Sequence, residues 1–100
     1  TMELKEKHTK TLTRLCDKYH VEEMYVFGSA LTPHFHDKSD IDFLVKFKPF
    51  DLAEYFDNYI NFKENLKKLF GREIDLVEEQ TLKNPILINS IDNDKELVYG

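Results

Sequence analysis

The sequence predicts an α/β (α+β) fold, a small mixed β-sheet with helices packed on it, in the order α-β-β-α-β-α-β across a single domain of residues 1–100. Three observations predict it. Apolar residues recur at spacings of three and four in separate stretches, as on one face of a helix. Short runs rich in aromatic and β-branched residues lie between those stretches. Gly28, Pro33, Gly71 and Asn84-Pro85 mark the breaks between them.

Residues 2–18 form the first predicted helix, with Leu4, Leu12, Leu15, Cys16 and Tyr19 largely on one face. Cys16 lies on that stripe, so it reads as a small buried hydrophobe rather than a reactive thiol. Residues 23–27, Glu-Met-Tyr-Val-Phe, read as the first strand, and Gly28 ends it. Residues 30–38 form a loop around Pro33. Residues 40–47 read as the second strand, where Ile41, Phe43 and Val45 alternate with Asp42, Leu44 and Lys46.

Residues 52–70 give the clearest helix. Leu52, Tyr55, Phe56, Tyr59, Ile60, Leu66, Leu69 and Phe70 trace its expected apolar face, with Phe56, Tyr59 and Phe70 read as core. Asp51 is placed as an N-cap with Glu54 completing a capping box, and Phe50 with Tyr55 as a hydrophobic staple. Gly71 is the expected left-handed cap. Residues 73–77 read as a third strand. Asn84 and Pro85 open a short helix carrying Ile86, Leu87, Ile88 and Ile91, and residues 96–99 close the order as a strand.

Composition narrows the function classes. In 100 residues, 41 % are hydrophobic and 13 % aromatic, enough for a modest core and too many for disorder. A domain this small leaves much surface wet, so an oligomer or partner could stabilise it. The net charge of −5 counts against general nucleic-acid binding, which is dominated by neutralising phosphate. A nucleotide is still compatible, because magnesium can carry phosphate into an acidic site. Cys16 is the only cysteine, which excludes an internal disulfide and fits a reducing compartment. No apolar run approaches the roughly 20 residues of a membrane span. A soluble cytoplasmic protein is the expectation, and Thr1 ahead of Met2 reads as the remnant of a tag.

The chemistry concentrates in Gly28-Ser29, ten intervening residues, and Asp40-Ile41-Asp42. Residues two apart on a strand share a face, so Asp40 and Asp42 project together with Cα atoms about 7 Å apart. A third carboxylate, Asp75, sits among apolar residues in Ile74-Asp75-Leu76-Val77. An acid there is costly to bury without a partner. If its strand lies beside the second, the three carboxylates meet. Two like charges 4 Å apart repel by about 4 kcal/mol at an effective dielectric near 20. Magnesium relieves that conflict, since it takes carboxylate oxygens, phosphates and water. Gly28 lets the backbone approach a phosphate closely, and Ser29 adds a hydroxyl and an N–H.

Gly28-Ser29, Ser39-Asp40-Ile41-Asp42 and Ile74-Asp75-Leu76-Val77 together resemble the signature of the polymerase-beta-like nucleotidyltransferases. The short length and the Phe27-Gly28-Ser29 context are similar to the minimal nucleotidyltransferase subfamily. The resemblance covers nearly the whole chain. It implies transfer of a nucleoside monophosphate, AMP from ATP above all, with two Mg2+ ions and release of pyrophosphate. Asp40 and Asp42 would bridge the metal that holds the triphosphate. Asp75 would join them at the second metal or act as general base. Gly28 and Ser29 would hold the nucleotide. The resemblance also implies a partner, a HEPN-domain toxin whose hydroxyl is the acceptor, and hence an antitoxin role. Where many members of the subfamily carry Arg-Gly, this chain has Thr32-Pro33; Lys38, Lys46 and Arg72 are the candidates to replace the missing cation.

Other readings stay open on the residues alone. Without the glycine-serine pair and Asp75, the Asp-x-Asp motif would be an ordinary wet strand face. His34 and His36 form a pair with zinc-like spacing but no evident further ligands. Asp92-Asn93-Asp94 reads as a helix-ending turn rather than a calcium loop, and Lys63, Lys67 and Lys68 as a wet helix face. Tyr99 reads as strand-edge packing. A non-catalytic antitoxin with a weakened site is the alternative function. Transfer to a small molecule or RNA ranks lower, because it calls for an acceptor-binding domain.

Overall fold

The structure, a computed structural model, describes residues 2–100, with side chains described from His8 onward. Thr1 and the side chain of Leu4, both read above, lie outside the described residues. Seven principal elements follow one another: α1 (Met2–Lys18), β1 (Val21–Phe27), β2 (Ile41–Phe47), α2 (Tyr55–Phe70), β3 (Ile74–Glu78), α3 (Pro85–Asp94) and β4 (Glu96–Tyr99). This is the predicted order. Three short 3-10 turns, Gly28–Leu31, Leu52–Glu54 and Glu79–Thr81, occupy junctions between them.

The four strands form one sheet in the order β3-β2-β1-β4. β1 runs antiparallel to both β2 and β4, while β2 and β3 are parallel. A parallel pair needs a long crossover, and α2 supplies it. β1 starts at Val21, two residues before the predicted start. Val21 is fully buried, and Glu22 beside it pairs with Lys46 across the sheet at 3.1 Å. The adjacent acids Glu22 and Glu23 hid that start from a hydrophobicity reading.

The core fills the face covered by α1 and α2. Leu12, Cys16, Met24, Ile41, Phe43, Val45, Phe62 and Leu66 are all buried there. Complete burial of a large apolar side chain contributes about 1.5–3 kcal/mol. Cys16 behaves as expected of a core residue, and burial pushes its thiol up to about 12.

α2 departs from the prediction in phase. Leu52 and Phe56 are 84 % and 71 % exposed, and Ile60 is exposed as well. Phe62, absent from the predicted face, is completely buried against Tyr19 and Phe47. The buried line runs through Tyr55, Tyr59, Phe62, Leu66 and Leu69-Phe70, the i, i+4, i+7 ladder of one face. Leu52, Phe56 and Ile60 lie about a residue's rotation, roughly 100°, further round the helix.

The ends of α2 follow the local chemistry. Its first turn is the 3-10 stretch Leu52–Glu54, where the Asp51 carboxylate accepts from the Ala53 N–H at 3.0 Å. Phe50 stacks on Tyr55 at 6.0 Å between ring centroids, forming the predicted staple. Gly71 caps the helix at φ +66°, donating to the Lys67 carbonyl at 2.8 Å. The Tyr59 hydroxyl donates to the Leu76 carbonyl, fastening α2 to β3. Just beyond β3, Thr81 Oγ1 donates to the Glu78 carbonyl at 2.7 Å.

Asn84 caps α3 by accepting from the Ile86 N–H at 2.9 Å, and Asp92–Asp94 form its last turn, as predicted. Only Ile91 of α3 is buried, and Ile86 and Leu87 are exposed. Lys67 pairs with Glu73 at 3.0 Å on the wet side of α2. The Tyr99 hydroxyl donates to the Asp17 carboxylate, joining β4 to α1.

Candidate functional site

Parallel pairing of β2 and β3 places Asp42 directly opposite Asp75. Alternation then decides their direction. Ile41, Phe43, Ile74 and Leu76 point into the core, so Asp42 and Asp75 point from the other face of the sheet. Asp42 is half-buried and Asp75 exposed. Leu44 shares Asp42's face yet is itself buried, so that face of β2 is covered two residues beyond the acid.

Asp42 is electrostatically frustrated. Partial burial, then the charge of Asp75, raise its carboxyl above the usual 3.8; Asp40 and a hydrogen bond with Asp75 add to the rise, while the Ser29 N–H opposes it. Two carboxyls at hydrogen-bonding range ionise together only at a cost. A proton or a cation between them removes it.

The other wall is the glycine-serine turn. Phe27 pairs with Asp42 across β1 and β2, so Gly28 emerges beside that carboxylate. Gly28 has φ +73°, in the left-handed region. A Cβ there would collide with the Asp42 carboxylate, its Cγ lying 3.2 Å away. Glycine is thus required twice, by the turn and by the carboxylate. Ser29 is engaged on both sides: its N–H serves Asp42, and its hydroxyl donates to the Asp40 carbonyl at 3.3 Å. Thr32, at the position of the missing arginine, turns its hydroxyl back onto the Ser29 carbonyl at 2.8 Å. It therefore braces the turn instead of reaching outward.

Asp40 sits just outside β2, which begins at Ile41, and is exposed. Its charge reaches Asp42, but among the described residues no three His, Cys, Asp or Glu side chains are gathered into a ready-made metal cluster. The fit to magnesium rests instead on the Asp42–Asp75 pair and the glycine cradle beside it. Magnesium commonly takes one or two protein carboxylates and completes its shell with water and phosphate. The donor set is compatible with that demand. His34 is exposed, and the His36 ring accepts from the Lys38 N–H at 3.2 Å.

Of the candidate replacement cations, Lys46 pairs with Glu22 at 3.1 Å. Arg72 is turned to the loop before Asp40: its Nη1 donates to the carbonyls of His36 and Ser39, each at 3.0 Å. A cation three residues before Asp75 is the one local sign of those contacts. A cleft of about 560 Å³ opens beside Gly28, between Leu31 and Thr32 on one side and Ser90 and Ile91 of α3 on the other.

Comparison with known proteins shows the family and the fold. The family described as nucleotidyltransferase domain matches residues 8–98. A Methanocaldococcus jannaschii protein assigned as a protein adenylyltransferase is 34 % identical over 97 % of this chain and 91 % of its own length. Among solved structures, one described as a minimal nucleotidyltransferase has a TM-score of 0.74 at 24 % identity, covering 91 % of this chain and 89 % of that one. Another is the complex of a tri-AMPylated Shewanella oneidensis HEPN toxin with its MNT antitoxin, with a TM-score of 0.64 at 16 % identity, covering 96 % of this chain and 72 % of the matched one. At such identities these two structures speak for the fold alone.

Proposed function

The chain belongs to the nucleotidyltransferase domain family, and from that premise we propose that it transfers AMP from ATP to a hydroxyl of a HEPN-domain toxin, silencing it as an antitoxin in the cytoplasm. The single observation that carries the site assignment is the register pairing of Asp42 with Asp75 beside the Gly28-Ser29 turn. The adenylyltransferase name of the Methanocaldococcus relative supports AMP as the transferred group. The AMPylated toxin in the structurally similar complex supports the acceptor.

In this reading Asp42 and Asp75 would hold magnesium, with Asp40 as the third carboxylate. Magnesium, when bound, would neutralise the triphosphate and make the acceptor hydroxyl more acidic. The Ser29 N–H keeps the Asp42 carboxylate aimed, and Gly28 leaves room for it. Asp75, exposed at the site, accepts the hydroxyl proton as that oxygen attacks the α-phosphorus. A new P–O bond forms to the acceptor, the bond to the β-phosphate oxygen breaks, and pyrophosphate leaves. Positioning and charge stabilisation supply most of the acceleration.

The test is label transfer from α-labelled ATP, with magnesium, to a HEPN-domain toxin. Wild type labels it, and Asp42→Asn lowers the rate about 10²–10³-fold, the usual cost of one charge-stabilising group. Undiminished labelling by Asp42→Asn removes the assignment.

A second reading is a binding antitoxin with a weakened site. Thr32, folded back onto Ser29 where the subfamily often carries arginine, favours it. Under that reading Asp42→Asn still neutralises the toxin on co-expression.

A further inference from the structure

Asp40 is the least supported of the three acids by its own surroundings. It is exposed and precedes the strand. Its backbone, however, is tied on three sides. On the preceding residue, the Ser39 carbonyl accepts from Arg72 Nη1 at 3.0 Å. On the following residue, the Ile41 N–H donates to the Glu73 carbonyl at 3.1 Å. Its own carbonyl accepts from Ser29 Oγ at 3.3 Å. Two of these ties start from consecutive residues, Arg72 and Glu73, at the head of the strand that carries Asp75.

Arg72 does more than touch Ser39. The same Nη1 donates to the His36 carbonyl at 3.0 Å, and the guanidinium lies over the Phe35 ring at 4.5 Å from its centroid. The segment between Phe35 and Ser39 is a tight turn: the Ser39 N–H donates to the His36 carbonyl at 3.0 Å, and the His36 N–H to Ser39 Oγ at 3.1 Å. Both carbonyls of that turn are collected by one nitrogen of a planar cation stacked on the turn's aromatic. A lysine offers neither the flat stack nor the rigid fork.

We propose that Arg72 is a positioning residue that locks the 35–39 turn onto the start of β3 and thereby sets Asp40 relative to Asp42 and Asp75, a role that rests on the transferase reading above. Arg72 does not act on phosphate in this arrangement. Its stacked face and its Nη1 are committed to the turn, so its loss is felt through the metal and not through the triphosphate. The site becomes one unit in which a single side chain, reaching back more than thirty residues, couples the carboxylate outside β2 to the one on β3.

Three measurements on the full chain test this. The first is amide hydrogen exchange without metal: Arg72→Ala should speed exchange at Ser39 and Ile41, and leave the amides of α2 and the centre of β2 unchanged. The second is Mn2+ binding to the protein alone, followed by electron paramagnetic resonance. Arg72→Ala should weaken it about 10–100-fold, the usual cost of losing a group that orients a metal ligand. The third is the transfer assay at varied magnesium. The variant should need correspondingly more magnesium and recover kcat when it is saturating, with KM for ATP nearly unchanged. Arg72→Lys, which keeps the charge and protects against simple misfolding, should move each readout in the same direction by less.

Unchanged exchange at Ser39 and Ile41 overturns the lock. Faster exchange with wild-type Mn2+ binding overturns its link to the site, as does wild-type behaviour of Arg72→Lys in all three measurements. A raised KM for ATP with an unaltered magnesium requirement overturns it in favour of direct phosphate contact. If the wild-type protein itself neither binds Mn2+ nor transfers label while Arg72→Ala still loosens the turn, the transferase reading has failed, and this role falls with it for a distinguishable reason.

Discussion

The two faces of β2 divide the molecule's tasks between neighbouring residues. Ile41, Phe43 and Val45 lie on one face, wholly or almost wholly buried beneath α1 and α2. One residue along, Asp42 points the other way and gathers unfavourable charge beside Asp75. The first face contributes stability through area removed from water. The second surrenders some of it to hold a carboxylate where carboxylates are unwelcome. A strand with period two can do both, and the cost on one face is tolerable because the other is so well packed.

The sharpest way to break this contrast is to damage the packed face alone. Phe43→Ala should lower the unfolding free energy by about 3–5 kcal/mol, read from urea titration, since the ring is buried against Phe70 with centroids 5.5 Å apart. Asp42→Asn, by contrast, should abolish most transfer without lowering stability.

Gly28→Ala falls between the two faces. The left-handed backbone costs an alanine about 1–2 kcal/mol. Its methyl would also displace the Asp42 carboxylate, so activity should fall together with stability. An alanine variant with full activity would show that the close approach of turn and carboxylate is not needed.

The smallest effect is the dependence of stability on pH in metal-free protein. Asp42 has a folded pKa raised above 3.8, chiefly by burial and next by Asp75. The folded state therefore holds that proton more tightly than the unfolded state. The associated stability is fully present below the ordinary value and is lost as pH rises through the raised one. Urea titrations with a chelator, from about pH 4 to pH 7, should show wild type losing stability relative to Asp42→Asn. Parallel curves would mean that Asp42 carries no such strain.

How far the sequence disclosed this arrangement depends on the range of the interactions. The aspartates were legible because strand alternation fixes their common direction and Asp75 interrupts an apolar run. Gly71, Asn84 and the Phe50–Tyr55 staple were legible because capping acts over a few residues. The phase of α2 was not. Tyr55-Phe56 and Tyr59-Ile60 are adjacent pairs that satisfy two neighbouring faces, and only packing against Tyr19 and Phe47 selects the one containing Phe62. The burial of Leu44 on the face of Asp42 was equally hidden, because alternation specifies direction and not what covers it. Arg72 could be noted as a cation, but its partners lie 33 and 36 residues away, beyond any local pattern.

The hydroxyls of Tyr59 and Thr81 have a consequence for how the protein behaves in a crowd. β3 borders the sheet, and because the Glu73 carbonyl turns inward to Ile41, those of Ile74, Leu76 and Glu78 turn outward. Two of these three outward acceptors are already taken, by Tyr59 and Thr81. A stray chain seeking to extend the sheet past Asp75 finds two of the hydrogen-bonding places along this border already filled, which makes pairing there less favourable while the acidic rim stays open to solutes.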